Sequence, residues 1–274
     1  EARDICSFEL VAADGGTLPA FTAGAHIDVQ APGGLTRPYS LCNAPHERHR
    51  YLIAVLREPA SRGGSAAMHE RVHEGEVLTI GAPKNLFALA PDAARHLLLA
   101  GGIGVTPMLA MAEQLAATDA EFALHYSTRS RERTAFHDRL RGSRFAGRVA
   151  LHFDDGDAAQ QLDLAALLAA PTEGTHLYVC GPKGYMDAVL GTARTRGWPE
   201  ARLHCEYFAA EAAPAEGDTA FEVRLGRAGQ VVVVLPGRTV VQALAAAGIE
   251  LQTSCEQGVC GACLTRVLDG TPEP

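Results

Sequence analysis

From residue 1 to about 92 the apolar positions come in short runs, 5–11, 26–29, 51–56 and 77–80, broken by turns rich in Gly and Pro. That spacing predicts the strands of an antiparallel β-barrel. Beyond about residue 93 the pattern changes. Apolar runs at 96–100, 122–126 and 176–180 read as buried strands, with helical stretches at 107–117, 134–140, 162–169 and 184–196. Strands alternating with helices predict a parallel α/β sheet over 93–208. Residues 209–219 are rich in Ala, Glu, Pro and Gly, lack an apolar period and read as a linker. After it, 221–225 and 231–235 alternate like a hairpin and 240–247 is helical, so 220–274 forms a small third domain. The fold class expected is multi-domain α+β.

Composition narrows the function. Of 274 residues, 47% are apolar and 20% charged, enough for large cores. A net charge of −8 excludes nucleic acid as the natural partner and permits docking to a basic protein face. Cys6, Cys42, Cys180 and Cys205 are scattered among apolar neighbours, unlike a secreted disulfide framework. No long apolar run and no leader is visible, so the expectation is a cytoplasmic protein with no membrane contact. The eleven histidines, His46, His49, His69 and His73 among them, form no ligand-like clusters with carboxylates and are expected on the surface.

The densest chemical signal is Cys255-Glu-Gln-Gly-Val-Cys260-Gly-Ala-Cys263. Its C-x4-C-x2-C spacing is the plant-type pattern for a [2Fe–2S] cluster. Gly258 and Gly261 let the backbone curl round the metal and turn N–H groups toward the sulfides. Zinc would want a second C-x2-C or a histidine pair, and none follows. Cys255, Cys260 and Cys263 supply three of the four ligands a cluster needs. Both ends of the chain read as trimmed, with the domain incomplete at its C-terminus.

A second signal lies where the run 97–100 turns into the helix at 107. Gly101, Gly102 and Gly104, followed by Thr106 and Pro107, could let a pyrophosphate approach a helix N-terminus. The spacing is not that of the dinucleotide fingerprint, and no acid ends the second strand. Cys180-Gly181-Pro182 ends another predicted strand and belongs to the same sheet edge, where ligands gather. In the first domain, Arg37 can pair with phosphate, Tyr39 can lie on a flat ring and Ser40 can bond a ring nitrogen. Gly63-Gly64-Ser65 opens a short helix over 66–72, a further anion site. Each motif alone is also compatible with a tight turn.

In order along the chain, R-P-Y-S-L, G-G-S, G-G-I-G-V-T-P-M-L, C-G-P, H-C-E-Y-F and the cysteine run resemble the ferredoxin-reductase superfamily. Within it they are most similar to the phthalate dioxygenase reductase and vanillate O-demethylase reductase group. The resemblance implies an FMN-binding antiparallel barrel over 1–92 and an NAD-binding α/β domain over 93–208. Past the 209–219 linker it implies a β-grasp ferredoxin over 220–274, with the fourth cysteine beyond Cys263.

It further implies that Arg37, Tyr39 and Ser40 hold the flavin, that Gly63, Gly64 and Ser65 hold its phosphate, and that Ala54, Val55 and Leu56 flank the ring. Thr106 would lie where the nicotinamide arrives, Cys180, Gly181 and Pro182 would line its pocket, and Phe208 would pack beside the flavin. Leu41, Thr128, Arg129 and Met186 complete the cofactor-binding set. Ser40, Thr106, Cys180 and Glu206 are the catalytic candidates, with Cys180 and Glu206 tuning or positioning the hydride step.

The expected activity passes electrons from nicotinamide through FMN to [2Fe–2S] and on to a Rieske-type aromatic oxygenase or O-demethylase, as a monomer. Arg129, Arg131 and Arg133 could clasp the 2′-phosphate of NADPH, or the last two could be a solvated helix start; the resemblance implies NADH. Alternatives are the reductase portion of a haem monooxygenase fusion and a non-catalytic nucleotide or metal sensor.

Overall fold

The computed structural model describes residues 1–59, 63–208, 219–226, 229–249, 251, 263 and 265–270. The chain divides into two compact units, Glu1–Phe208 and Ala209–Pro274.

In the first unit, β1 (Ile5–Leu10) pairs antiparallel with β4 (Tyr51–Leu56), and β2 (His26–Gln30) pairs with β3 (Thr36–Ser40). Isolated bridges from His26 to Lys84 and from Val29 to Ile80 add a further rung to β2. Alternation along β2 buries Ile27 and Val29, while Asp28 meets Lys84 at 2.7 Å. Ile27, Val29, Leu41, Tyr51, Ile53, Val55 and Met68 form one apolar core. At about 1.5–3 kcal/mol for each large side chain buried, this core holds the sheets face to face.

Two expectations change here. The run at 77–80 is not a strand: Val77 is 81% exposed beyond a left-handed Gly75, and only Ile80 bridges. Conversely, 36–40 is a strand although Pro38 sits inside it. A proline lacks only the N–H, which an edge position of a sheet can forgo.

Helix α1 (Gly64–Arg71) follows β4, and then the α/β part begins. Its strands are β5 (Arg95–Gly101), β6 (Glu121–Thr128), β7 (Val149–Phe153), β8 (Thr175–Cys180) and β9 (Leu203–Glu206). Helices α2 (Val105–Ala117), α3 (His137–Gly142), α4 (Leu164–Leu167) and α5 (Lys183–Thr195) lie between them. All five strands are parallel, in the order β7-β6-β5-β8-β9. The chain builds outward to β7 and then returns to the far side of β5. The order therefore reverses between β5 and β8, the place where open α/β sheets bind ligands beyond their strand ends.

Helix α2 is apolar nearly all round because it is enclosed. Val105, Met108, Leu109 and Met111 share one core with sheet residues Leu98, Leu124 and Tyr126 and with Ile5, Cys42, Ala54 and Phe87 from the barrel side. Helix α3 begins later than the expected 134, because Phe136 adopts a left-handed φ of 58° and is buried.

Several histidines depart from the surface expectation. His26, His96 and His176 are buried. His125 and His152 stack across β6 and β7 with Nδ1 and Nε2 3.0 Å apart, and His176 and His204 do the same across β8 and β9 at 2.9 Å.

In the second unit, β10 (Phe221–Arg224) pairs antiparallel with β11 (Val231–Val234), followed by α6 (Val240–Ala246). Thr239 and Gln242 cap α6 reciprocally, and Val232, Val234, Ala243 and Leu244 make the local core. Cys255 and Cys260 lie outside the described residues; Cys263 is a partly buried free thiol. Among the described residues, no helix is long and apolar enough to cross a membrane.

Candidate functional site

Parallel register sets Ala100 opposite Cys180 and Cys180 opposite Glu206, a row across the C-terminal ends of β5, β8 and β9. The last residue of β3, Ser40, reaches this row from the barrel side, its Oγ donating to Glu206 Oε2 at 3.4 Å. Ser40 itself is buried, and its carbonyl accepts from the Cys42 thiol at 3.6 Å. Burial pushes the Glu206 carboxyl up to about 7, against a small opposing pull from the Ser40 hydroxyl. At neutral pH this side chain therefore exchanges a proton easily. Burial, with the Glu206 carboxylate adding to it, raises the Cys180 thiol well above its ordinary value. It is a neutral, weakly polar wall and no nucleophile.

The glycines of the β5 and β8 loops serve a purpose the sequence does not reveal. A Cβ on Gly104 would stand 2.2 Å from the Cys180 carbonyl oxygen, and one on Gly181 would stand 2.9 Å from Gly101 Cα. The two loops are thus packed backbone to backbone, and their glycines are needed for each other. Gly102 differs: its φ is +53° and a Cβ would meet nothing within 4 Å. It is the open member of the run, free to admit a ligand. Thr106 is buried and donates back to the Ile103 carbonyl at 3.0 Å, closing the turn; Pro107 is buried behind it in the first turn of α2.

On the barrel side the motif residues also converge. Gly63, at φ 97°, precedes α1 as its N-cap. A Cβ on Gly64 would sit 3.0 Å from Arg37 Cγ and 3.2 Å from its Nε, so the guanidinium side chain lies across the start of the helix. Arg37 also donates to the Thr36 carbonyl at 2.7 Å. A cation beside helix N–H groups suits a phosphate. Ser65 Oγ accepts from Glu58 N at 3.2 Å. Tyr39 is partly buried, and burial raises its hydroxyl to about 12, so it stays neutral. Leu56 is partly exposed, whereas Leu41, Ala54 and Val55 are buried in the cores. Met186, on the buried face of α5, is fully enclosed, and Phe208 is 39% exposed. Pro182 is exposed as the N-cap of α5.

At the end of β6, Thr128 is buried and its Oγ1 meets Thr134 Oγ1 at 2.7 Å, while Arg129 is exposed. Arg131 and Arg133 form a single 3-10 turn, and Arg133 is drawn to Asp4 at 3.4 Å. Two residues escaped the sequence reading. Ser127 Oγ and Tyr185 Oη are buried at this edge, neither with a well-formed hydrogen bond, and Tyr185 is pushed up to about 12. Ordinary polar residues in a strand and a helix carry no spacing signal. The Ser127 and Tyr185 hydroxyls face each other beside the open Gly102, and the Arg37–Gly64 cradle fits a phosphorylated flavin. Among the described residues, no group of three His, Cys, Asp or Glu side chains is arranged to hold a metal ion.

Residues 83–203 match the family model described as the N-terminal domain of dimethylamine monooxygenase subunit DmmA-like proteins. Residues 223–274 match the 2Fe-2S iron-sulfur cluster binding domain. The chain is 58% identical over 273 residues to the vanillate O-demethylase oxidoreductase of Pseudomonas putida, covering 100% of this chain and 86% of that one. Among solved structures it resembles phthalate dioxygenase reductase, described as a modular structure for electron transfer from pyridine nucleotides to [2Fe-2S]. That likeness has 41% identity and a TM-score of 0.79, over 96% of this chain and 81% of the other. An intact type IV self-sufficient cytochrome P450 monooxygenase matches at 42% identity and a TM-score of 0.87, over 98% of this chain and 35% of the other. The shared architecture over the whole chain makes this protein a member of the vanillate O-demethylase oxidoreductase and phthalate dioxygenase reductase family.

Proposed function

We propose that this protein takes hydride from NADH and passes the electrons through FMN and a [2Fe–2S] centre to a Rieske-type oxygenase. The observation that carries this reading is the Ser40–Glu206 contact beside the strand-order reversal, in register with Cys180, together with the Arg37–Gly64 cradle on the barrel side. Bound FMN would supply two-electron acceptance with one-electron release, the chemistry that joins a nicotinamide to an iron–sulfur centre. The chain's own residues do the positioning. Arg37 and the first turn of α1 hold a phosphate, and Tyr39 offers a flat neutral face. Ser40 and Glu206 hold a proton between Oγ and Oε2, where a bound flavin would meet it. The backbone-packed loops at Gly104 and Gly181 form a fixed floor that would receive the nicotinamide, and the buried Cys180 thiol keeps that floor uncharged. Cys255, Cys260 and Cys263 are the cluster ligands in this reading, supported by their spacing and by the matching domain. Free thiols at Cys6, Cys42, Cys180 and Cys205 suit a cytoplasmic, reducing setting.

Titrating the flavin-loaded protein with NADH while recording its visible spectrum tests this. The flavin bands should bleach and ferricyanide should be reduced catalytically. A protein that retains no flavin, or flavin that NADH leaves oxidised, refutes the reading. The P450 match favours a second reading, the same module serving a haem domain. Faster electron delivery to a haem domain than to a Rieske oxygenase would select it.

A further inference from the structure

The nucleotide-binding reading leaves one part of the sheet edge unused. In doubly wound sheets the adenosine ribose lies at the end of the second strand, where an acid bonds the 2′-hydroxyl. Here that strand, β6, ends in Thr128-Arg129, without an acid. Its neighbour supplies two. Hydrogen bonding continues past the strands, with Asp154 N donating to Thr128 O at 3.0 Å and Asp155 N to Arg129 O at 3.3 Å. Both acids therefore stand about 4.8 Å, one strand spacing, from the backbone of Thr128 and Arg129.

The turn that carries them is fixed. Gly156 N donates to Phe153 O at 3.2 Å, Gln161 Nε2 donates to Asp154 O at 3.3 Å, and His152 Nδ1 holds the Gln160 carbonyl at 3.0 Å. His152 is in turn bonded to His125 of β6. Asp154, Asp155 and Arg129 are all exposed, and none forms an ion pair among the described residues. Of the other cations near by, Arg133 is engaged with Asp4, while Arg131 is exposed and forms no ion pair among the described residues. Two carboxylates against Arg129 and Arg131 leave no positive charge in excess.

We infer that Asp154 and Asp155 take over the ribose-acid role from the neighbouring strand and select NADH against NADPH. Their oxygens accept from the 2′- and 3′-hydroxyls of an adenosine ribose. A 2′-phosphate in the same place meets two like charges, and Arg129 and Arg131 have no positive charge in excess of those carboxylates to offset it. The inference rests on the nucleotide reading of this edge.

The test is kcat/KM for NADH and NADPH with ferricyanide as acceptor, on the flavin-loaded wild type, Asp155→Ser and the double variant Asp154→Asn/Asp155→Asn. Wild type should prefer NADH. The double variant should move the NADH:NADPH ratio about tenfold or more toward NADPH, equal to about 1.4 kcal/mol. Discrimination by the wild type should also weaken as salt rises, because the groups are exposed. An unchanged ratio in both variants, with flavin content and melting temperature retained, overturns the inference while leaving the reductase reading intact. A wild type that prefers NADPH overturns it as well. A wild type that oxidises neither nucleotide removes the nucleotide reading, and the inference with it.

Discussion

Replacing Glu206 by Gln removes one titration and little else. The amide oxygen of Gln can still accept from Ser40 Oγ, and the side chain keeps its size. The wild-type carboxyl sits at about 7 against an ordinary 4.5, chiefly because burial disfavours its charged form. At about 1.36 kcal/mol per pKa unit the displacement amounts to about 3 kcal/mol. Its sign is set by which state holds the proton. Below about pH 4.5 both states are protonated and the wild type has its full stability. Between about 4.5 and 7 the unfolded chain releases a proton that the folded chain retains, so the wild type loses stability as pH rises. Above about 7 the loss is complete. E206Q has no such slope. Urea unfolding followed by Trp198, the single tryptophan, buried and bonded to the Leu168 carbonyl at 3.2 Å, reads this directly. The stability of E206Q relative to wild type should increase by about 2–3 kcal/mol between about pH 5 and pH 8. Parallel profiles for the two proteins would refute the raised carboxyl, and with it the easily exchanged proton shared with Ser40.

Two further outcomes follow from geometry. G104A should cost about 1–3 kcal/mol by forcing the β5 and β8 loops apart, whereas G102A should cost about 1 kcal/mol of backbone strain and mainly weaken nucleotide binding; thermal melts and NADH titration separate them. His125 is lowered to about 4, first by burial and then by His152, so the folded ring stays neutral. Stability should therefore fall as pH drops from about 6.5 to 4, by up to about 3 kcal/mol, and H125N should flatten that acid limb in urea unfolding.

Much of the α/β part was legible because its signals are strong. Leu97, Leu98 and Leu99 form an unbroken buried run, and α2 has Pro107 in its first turn. Strand β7 was missed since every residue of Val149–Phe153 is only partly buried, giving neither alternation nor a solid apolar run. Strand β9 is four residues long and contains two polar side chains, His204 and Glu206, that tertiary partners cover only in part. Strand β3 was hidden by Pro38, and 77–80 was read as a strand because Val and Ile carry β propensity even when exposed. At the site, the motif residues were visible but their work was not. The glycines looked like room for a ligand, and most of that room is taken by the opposite loop. Asp154 and Asp155 carried no motif at all; only the register of β6 and β7 gives them meaning.

The backbone contact between the Gly101–Gly104 turn and Cys180-Gly181 bears on how relatives of this protein could be recombined. Loops from two strands far apart in sequence share a single van der Waals layer, so they behave as one inherited part. A chimera that grafts one loop from another reductase and leaves the other native would bring mismatched backbones to less than contact distance. Exchanging the two as a pair preserves the fit. The turn after β7, where Asp154 and Asp155 are exposed, is free of that constraint.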